Sequence, residues 1–199
     1  MADDDYRVKP RSARDIGARA LAWRDTLHVS NTWAPDMIRL LEVEIPKLVS
    51  EFALVVRSDN EMGDAEAYTE FNPVHIAVRG SVYQLAMRND GRSRMTLAHE
   101  LGHLVMHPGA AKLRSTSSSS DGHLKIFESA EWQAKKFAAL FLVPDHVALQ
   151  FSTADQLATS CQVSLQAAQI RFNETMPLRK TQLLPIEILE TLTELKSEK

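Results

Sequence analysis

Four side chains able to bind a metal ion or move a proton stand close together near the middle of the chain. The segment MTLAHELGHLVMHPG (Met95–Gly109) contains His99, Glu100, His103 and His107. On a helix, His99 and His103 project from one face with their Cβ atoms about 6 Å apart, so two imidazoles can bind one tetrahedral zinc ion. Glu100 lies about 100° around the helix and could take a proton from an attacking water without being a ligand. This His-Glu-x-x-His spacing predicts a zinc site with hydrolytic chemistry.

The alternative is a helix that carries two core histidines by chance, since the chain contains seven histidines. The apolar residues around the motif predict a mostly buried helix, and buried ionisable groups need partners, which favours the metal site. These apolar residues are Leu97, Ala98, Leu101, Leu104 and Val105. Gly102 is predicted to allow tight packing against a neighbouring element, or else to make room for a substrate strand. His107 is predicted to end the helix, where a cationic or donor side chain suits the last carbonyl groups.

The third ligand is not fixed by spacing. A catalytic zinc usually has three protein ligands and one open position, and the downstream candidates are Glu128 and Glu131. They lie three residues apart on a similar side of a helix, so helical geometry does not separate them. Tyr83, Arg94 and His123 could stabilise the oxyanion of a tetrahedral intermediate, but nothing in their spacing selects one of them. Two histidines and one carboxylate also suit manganese or iron.

A small sheet is predicted in front of the motif. The segments Phe52–Asp59 and Val74–Gly80 are rich in β-branched residues and are bounded by turn formers, which predicts two short strands. Ala67–Phe71 is a weaker third strand, and a short helix is predicted after Ser81. The segment DGRSR (Asp90–Arg94) is predicted to be a turn that leads into the motif helix.

Helices are predicted on both sides of this sheet. The first begins after Ser12, and the second has Pro35 as its first helical residue and ends or kinks at Pro46. The serine-rich segment 114–123 is predicted to be an exposed loop, either a plain linker or a rim of the active site. The chain becomes helical from Phe127 onward, and Pro185 is predicted to open a last helix. The overall prediction is an α+β fold.

Composition limits the classes of protein. The chain has 199 residues, 44% hydrophobic and 25% charged, with a net charge of −3 and a pI near 6.2. This balance predicts a globular protein and weighs against direct attraction to nucleic acid or to an anionic membrane. The single Cys161 excludes an internal disulfide, and neither a transmembrane run nor a signal peptide is expected. The sequence therefore predicts a cytoplasmic protein with a domain over residues 1–150 and a helical segment over residues 151–199.

The C-terminal segment has the spacing of apolar and turn residues that is typical of a helix-turn-helix. The pattern DQLATSCQVSLQAAQIRF has a turn near Cys161, and its second helix offers Gln166, Gln169 and Arg171. A helix that reads DNA is expected to present such residues beside a basic cluster, and no basic cluster is present. A packed helical hairpin is therefore favoured over a DNA-binding unit, with Cys161 as a small buried hydrophobe.

Two segments together resemble the ImmA/IrrE family of metallo-endopeptidases. RSRMTLAHELGHLVMHP is similar to the Ala-His-Glu-Leu-Gly-His helix of that family. EWQAKKFAALFLVP is similar to its later helix of the form Glu-x-x-Ala-x-x-Phe-Ala-Ala, which ends in Leu-x-Pro. The matching residues of this second helix are Glu131, Ala134, Phe137, Ala138, Ala139, Leu142 and Pro144. Looser similarity extends over most of residues 7–145.

The resemblance implies a zincin-like core in which His99, His103 and Glu131 hold zinc and Glu100 is the catalytic base, while Glu128 has no place in the pattern. One departure concerns Lys135. The family often has Asn or Asp there, which could steady a zinc-bound histidine, whereas lysine cannot accept a hydrogen bond. A backbone carbonyl or another carboxylate is then expected to orient the imidazole, or zinc binds more weakly.

The resemblance also implies a regulatory endopeptidase that cleaves a protein, commonly a helix-turn-helix transcriptional repressor, in a stress or mobile-element response. The rival interpretation is a protease-like module that senses metal or binds a regulator without hydrolysing anything. Lys135 and the modest C-terminal hairpin motivate that alternative.

Overall fold

Three strands form a small mixed sheet in the computed structural model, which describes residues 5–108 and 124–182. The strands are β1 (Ala53–Arg57), β2 (Ala67–Phe71) and β3 (Val74–Arg79), in the order β1-β3-β2. β1 runs parallel to β3, and β2 pairs antiparallel to β3 with Thr69 opposite Ile76. β2 is therefore an edge strand. The three predicted strands are confirmed, and β3 reads as a nearly continuous apolar run because its side chains are buried on both faces of the sheet.

Helices make up most of the rest of the described chain, so the fold is α+β as predicted. Ten α-helices, α1 to α10, are described: Ala13–Thr26, Met37–Arg39, Ile45–Leu48, Asp59–Met62, Gly80–Met87, Gly91–Met106, Ala130–Leu142, Asp145–Ala148, Ala154–Cys161 and Leu165–Gln182. A π-helical turn, Leu40–Glu44, joins α2 to α3, and a 3-10 turn, Ile126–Glu128, precedes α7. Among residues 5–108 and 124–182, no helix is long and apolar enough to cross a membrane.

The first two predicted helix starts had different outcomes. Ser12 caps α1 through a reciprocal capping box with Asp15, as the sequence predicts. The prediction that Pro35 is the first residue of the second helix is wrong, because Asp36 is the N-cap and accepts a hydrogen bond from the Arg39 amide. Pro46, which has no N–H to donate, does not end the helical path, which continues to Leu48. The widened π-helical turn Leu40–Glu44 ends two residues before this proline.

The predicted turn at Asp90–Arg94 is also wrong, because α6 already begins at Gly91. The Asp90 carboxylate accepts a hydrogen bond from the Ser93 amide at 2.8 Å, which is a helix N-cap. A side chain at Gly91 would lie 2.7 Å from the backbone of Val163. The glycine therefore marks the contact of α6 with the α9–α10 connection and not a break in the helix.

The core lies between the sheet, α6, α7 and α1. It includes Leu97, Ala98, Leu101, Phe137 and Phe141, all fully buried. The C-terminal hairpin of α9 and α10 adds buried side chains to this same core, at Leu157, Cys161, Val163 and Ala168. Whether residues 1–150 and 151–199 are separate folding units stays a prediction, because shared packing does not test independent folding.

Of the three residues that the sequence offers for reading DNA, helix α10 exposes Gln166 and Gln169 but not Arg171. Gln162 adopts the left-handed conformation at the end of α9, so the predicted turn is confirmed. Arg171 is buried, donates to the Val143 carbonyl at 2.9 Å and pairs with Asp145 and Glu174. It holds α10 against α8, so its suggested role toward nucleic acid is wrong. The predicted serine-rich loop at 114–123 and the helix from Pro185 lie outside the described residues.

Candidate metal centre

Helix α6 carries the first part of the site. Its apolar face packs into the core as predicted, and this packing draws the histidines into a buried setting. Glu100 and His103 are buried, whereas His99 is half-buried at the mouth of the site. His107 is the C-cap residue, so the helix ends where the sequence predicts.

Helix α7 delivers the acidic partner of these histidines. The Ser129 side chain caps the helix by accepting from the Trp132 amide, and the Asp5 carboxylate accepts from the Glu131 amide at 3.1 Å. Gly102 permits the close approach of the two helices, because a Cβ there would lie 3.0 Å from the Ala134 carbonyl oxygen. The prediction of tight packing at Gly102 is confirmed. Glu131 consequently enters the site from a rigid, capped helix.

The side chains of His99, His103 and Glu131 meet in a compact triangle. The two Nε2 atoms of the histidines are 3.0 Å apart, and the Glu131 carboxylate oxygens lie 3.2 Å from His99 Nε2 and 3.1 Å from His103 Nε2. Donor atoms around a tetrahedral zinc ion at about 2.0–2.1 Å stand about 3.3 Å from one another. The distance between the two nitrogens, and the distance from each nitrogen to its nearest Glu131 oxygen, are within a few tenths of an ångström of that spacing. These three residues could therefore hold a metal ion.

The electrostatics of the triangle suit a cation. Hydrogen bonds from the His103 and His99 imidazoles hold the pKa of Glu131 well below its ordinary value, so Glu131 is a carboxylate at neutral pH. One carboxylate and two imidazole nitrogens form a donor set that zinc accepts in hydrolytic sites and that manganese and iron also accept. The arrangement could thus hold a metal ion, and its donor set does not identify the metal.

Glu100 is held next to the triangle by strand β2. The Thr69 hydroxyl lies 2.8 Å from Glu100 Oε2 and 3.1 Å from the Glu100 backbone oxygen. It therefore links the edge strand to the side chain that the sequence nominates as the base. Sequence reasoning did not identify Thr69, because a threonine in a short strand has many structural explanations and the contact spans 31 residues of chain.

A second side of His103 is covered by residues that are not in the triangle. His107 Nδ1 lies 3.3 Å from His103 Nδ1, and His107 Nε2 lies 3.2 Å from Gln133 Oε1. The aromatic ring of Tyr6 stands edge-on to the His107 ring. Burial and, second, the neighbouring His103 lower the pKa of His107 to about 4. Of the two alternatives predicted for the helix end, a cationic or a donor side chain, the lowered pKa disfavours the cation.

The remaining candidates lie away from the triangle. Glu128 is in the 3-10 turn before α7, and its carboxylate is 3.8 Å from Arg7 Nε. Lys135 is exposed on α7. Tyr83 donates its hydroxyl to Glu42 at 2.7 Å.

Arg94 is also excluded as an oxyanion donor. Its guanidinium is buried and donates to the backbone oxygens of Cys161, Gln162 and Pro35 at 2.5–3.0 Å. It thereby joins α6 to the C-terminal hairpin, which is a structural role. The third candidate, His123, lies outside the described residues.

Comparisons with known proteins agree with this geometry. Residues 80–173 match the model of the Peptidase_M78 family, described as an IrrE N-terminal-like domain. A Mycobacterium tuberculosis transcriptional regulator has a similar fold, with a TM-score of 0.53 at 19% sequence identity. The match covers 78% of this chain and 45% of the regulator, so the chain spans less than half of that protein's length. No curated protein matches the chain closely enough to count as a relative. Residues 80–173 are therefore similar to a Peptidase_M78 domain of the IrrE N-terminal-like type, which confirms the ImmA/IrrE resemblance of the two helical motifs.

Proposed function

We propose that the protein is a zinc-dependent endopeptidase in which His99, His103 and Glu131 bind the metal and Glu100 is the general base. The observation that carries the proposal is the cluster of His99, His103 and Glu131, in which the two Nε2 atoms are 3.0 Å apart and each lies 3.1–3.2 Å from one oxygen of the Glu131 carboxylate. Glu100, the next residue after His99, is buried. A cluster of core histidines needs no carboxylate shared between two imidazoles. The match of residues 80–173 to the model of a peptidase family supports the same chemistry.

The residues divide the work of hydrolysis between two helices and one strand. A zinc ion, when bound, supplies Lewis acidity toward a peptide carbonyl and lowers the pKa of water. Glu100 accepts a proton from the attacking water and can return it to the amine that leaves. Thr69 keeps the Glu100 carboxylate in one orientation through its 2.8 Å hydrogen bond, so the base does not need to reorganise during the reaction.

The proposed substrate is a protein involved in transcriptional control, such as a helix-turn-helix repressor, and the proposed location is the cytoplasm, where such a repressor acts. The ImmA/IrrE resemblance implies this class of substrate. The solved structure with a similar fold is a transcriptional regulator by name, which is compatible with a regulatory setting. Direct binding of nucleic acid is not proposed, because Arg171 is buried in ion pairs and the net charge is −3.

The second candidate is a metal-sensing or regulator-binding module with a protease-like fold. The sequence motivates it by the modest C-terminal hairpin and by Lys135, which cannot accept a hydrogen bond from a ligand histidine. In the structure this lysine is exposed, and His103 has a different neighbour at Nδ1. The observation favours the peptidase, because the ligand is supported without Lys135.

The test is a comparison of the parent protein with Glu100→Gln, each loaded with Zn²⁺ and incubated with a proteome of its source organism. New protein N-termini are then identified by mass spectrometry. The parent should create specific new N-termini that vanish with a chelator, and Glu100→Gln should bind the same amount of zinc but create none. Glu128→Gln is the matched control and should cut like the parent.

Two outcomes contradict the proposal in different ways. If Glu100→Gln cuts as fast as the parent, Glu100 is not the base. If the zinc-loaded parent creates no new N-termini, the module that binds without hydrolysis is the better account.

A further inference from the structure

The side chains of His107 and Gln133 lie behind His103. Neither is needed for the metal triangle, yet both are almost completely buried. They lie in a line with His103, joined by contacts of 3.3 Å and 3.2 Å. Burying three polar side chains in a row is costly unless every donor meets an acceptor. The question is which atom of each side chain donates.

Two backbone carbonyls at the far end of the line determine the direction. Gln133 Nε2 lies 2.9 Å from the Lys9 oxygen and 2.9 Å from the Phe127 oxygen. Carbonyl oxygens only accept, so the donating amide nitrogen of Gln133 must face them and its Oε1 must face His107. The usual ambiguity between the two ends of a glutamine amide is thereby removed.

The proton positions follow from this orientation one bond at a time. Gln133 Oε1 only accepts, so His107 Nε2 must carry a hydrogen. His107 Nδ1 faces His103 Nδ1 at 3.3 Å, so one of these two nitrogens must donate to the other. The His107 Nδ1 lone pair accepts the hydrogen of His103 Nδ1 when a metal ion occupies the lone pair of His103 Nε2. This is the nitrogen that lies in the triangle, 3.1 Å from Glu131.

We propose that His107 and Gln133 form a directed hydrogen-bond relay that fixes the ring orientation and the Nδ1–H tautomer of His103, so that its Nε2 lone pair is presented to a metal ion. His107 and Gln133 are positioning residues. The relay takes the place of the Asn or Asp that Lys135 replaces. It ends on Lys9, so the N-terminal segment 5–11, which also bonds to residues 127–130, is a structural part of the metal site.

The relay rests on the proposed metal site and not on peptide cleavage, so its test measures zinc binding. Zn²⁺ affinity is determined by competition with a chromophoric chelator for the parent and for three variants. His107→Phe keeps the ring but removes the acceptor, and it should weaken Zn²⁺ binding about 10–100-fold. His107→Asn places an oxygen acceptor near the former Nδ1 and should recover most of the affinity. His146→Phe, at an exposed position on α8, is the matched control and should bind like the parent.

A spectroscopic measurement on the zinc-loaded parent covers the case in which His107→Phe does not fold. ¹⁵N NMR of the imidazoles should find a hydrogen on His103 Nδ1, none on His107 Nδ1, and a scalar coupling between these two nitrogens across the hydrogen bond. A hydrogen on His107 Nδ1, or a folded His107→Phe with the parent's affinity, would overturn the relay. A parent that binds no Zn²⁺ would overturn the metal site itself, and the relay with it.

Discussion

Replacing Gly102 by alanine adds one methyl group at the closest contact of the two helices that build the metal centre. The added Cβ would lie 3.0 Å from the Ala134 oxygen, 3.1 Å from Ala134 Cα and 3.3 Å from Phe137 Cδ1. The phenylalanine ring can turn aside, but the two Ala134 atoms are backbone. To restore an ordinary contact of 3.4 Å, helix α7 must move away from α6 by about 0.4 Å.

This displacement should affect metal binding more than folding. Alanine gains about 1 kcal/mol of helix propensity over glycine, while overpacking costs about 1–3 kcal/mol, so the net loss of unfolding free energy is about 0–2 kcal/mol. The same shift carries Glu131 away from His99 and His103. Metal–ligand distances tolerate only about 0.2 Å, so the Zn²⁺ affinity should fall by about tenfold or more.

Gly17→Ala is a matched control, because Gly17 lies on α1 and faces the same helix α7. Its added Cβ would be 3.6 Å from Leu140 Cδ1, an ordinary contact, so this variant should gain about 0.4–1 kcal/mol of stability and keep the parent's Zn²⁺ affinity. Urea unfolding of the metal-free proteins and chelator competition provide the two measurements. The reasoning is refuted if Gly102→Ala behaves like Gly17→Ala in both.

Three further substitutions test other contacts. Thr69→Val removes the hydroxyl that holds Glu100, so kcat on a substrate cut by the parent should fall about 10–100-fold while the zinc content stays constant. An unchanged kcat would show that Thr69 has no part in the mechanism. Asp90→Ala removes the cap of α6 and should cost about 1 kcal/mol in urea unfolding at pH 7. The Ser93 amide lowers the pKa of Asp90 in the folded state, so the parent's advantage is present above the ordinary pKa and shrinks as the pH falls through the lowered one. A difference that grows in acid would contradict the cap. Lys135→Asn should leave the Zn²⁺ affinity unchanged, and tighter binding would mean that the relay does not replace the family's residue.

The parts of the site that were predictable are those determined by residues near one another in sequence. The spacing of His99 and His103 on one apolar helix is a local property, and so is the end of that helix at His107. The choice of Glu131 over Glu128 came from the resemblance and not from geometry. In the structure only Glu131 approaches the histidines, because Asp5 and Ser129 set the first turn of α7.

The contacts that support the site were not predictable, since they join distant segments. Thr69 reaches Glu100 across 31 residues, and Gln133 reaches the Lys9 carbonyl across 124 residues. A local rule predicted that His107 serves the last carbonyl groups of the helix, but its ring nitrogens contact the side chains of His103 and Gln133. The start of α6 was also misplaced by a local rule, because Asp-Gly is a pair of residues common in turns. In the structure Asp90 is the N-cap of α6, and Gly91 packs against the backbone of the α9–α10 connection.

The central claim is that His99, His103 and Glu131 together bind one metal ion, and the most direct test is the zinc content of two alanine variants. The parent, Glu131→Ala and Glu128→Ala are purified, equilibrated with Zn²⁺ at neutral pH, freed of excess metal and analysed by elemental mass spectrometry. The parent and Glu128→Ala should each retain one zinc ion per chain, since Glu128 pairs with Arg7 outside the triangle. Glu131→Ala should lose most of its zinc, because it removes the carboxylate that lies 3.1 Å and 3.2 Å from the two imidazoles. The reverse ranking, or full zinc in both variants, would contradict the claim.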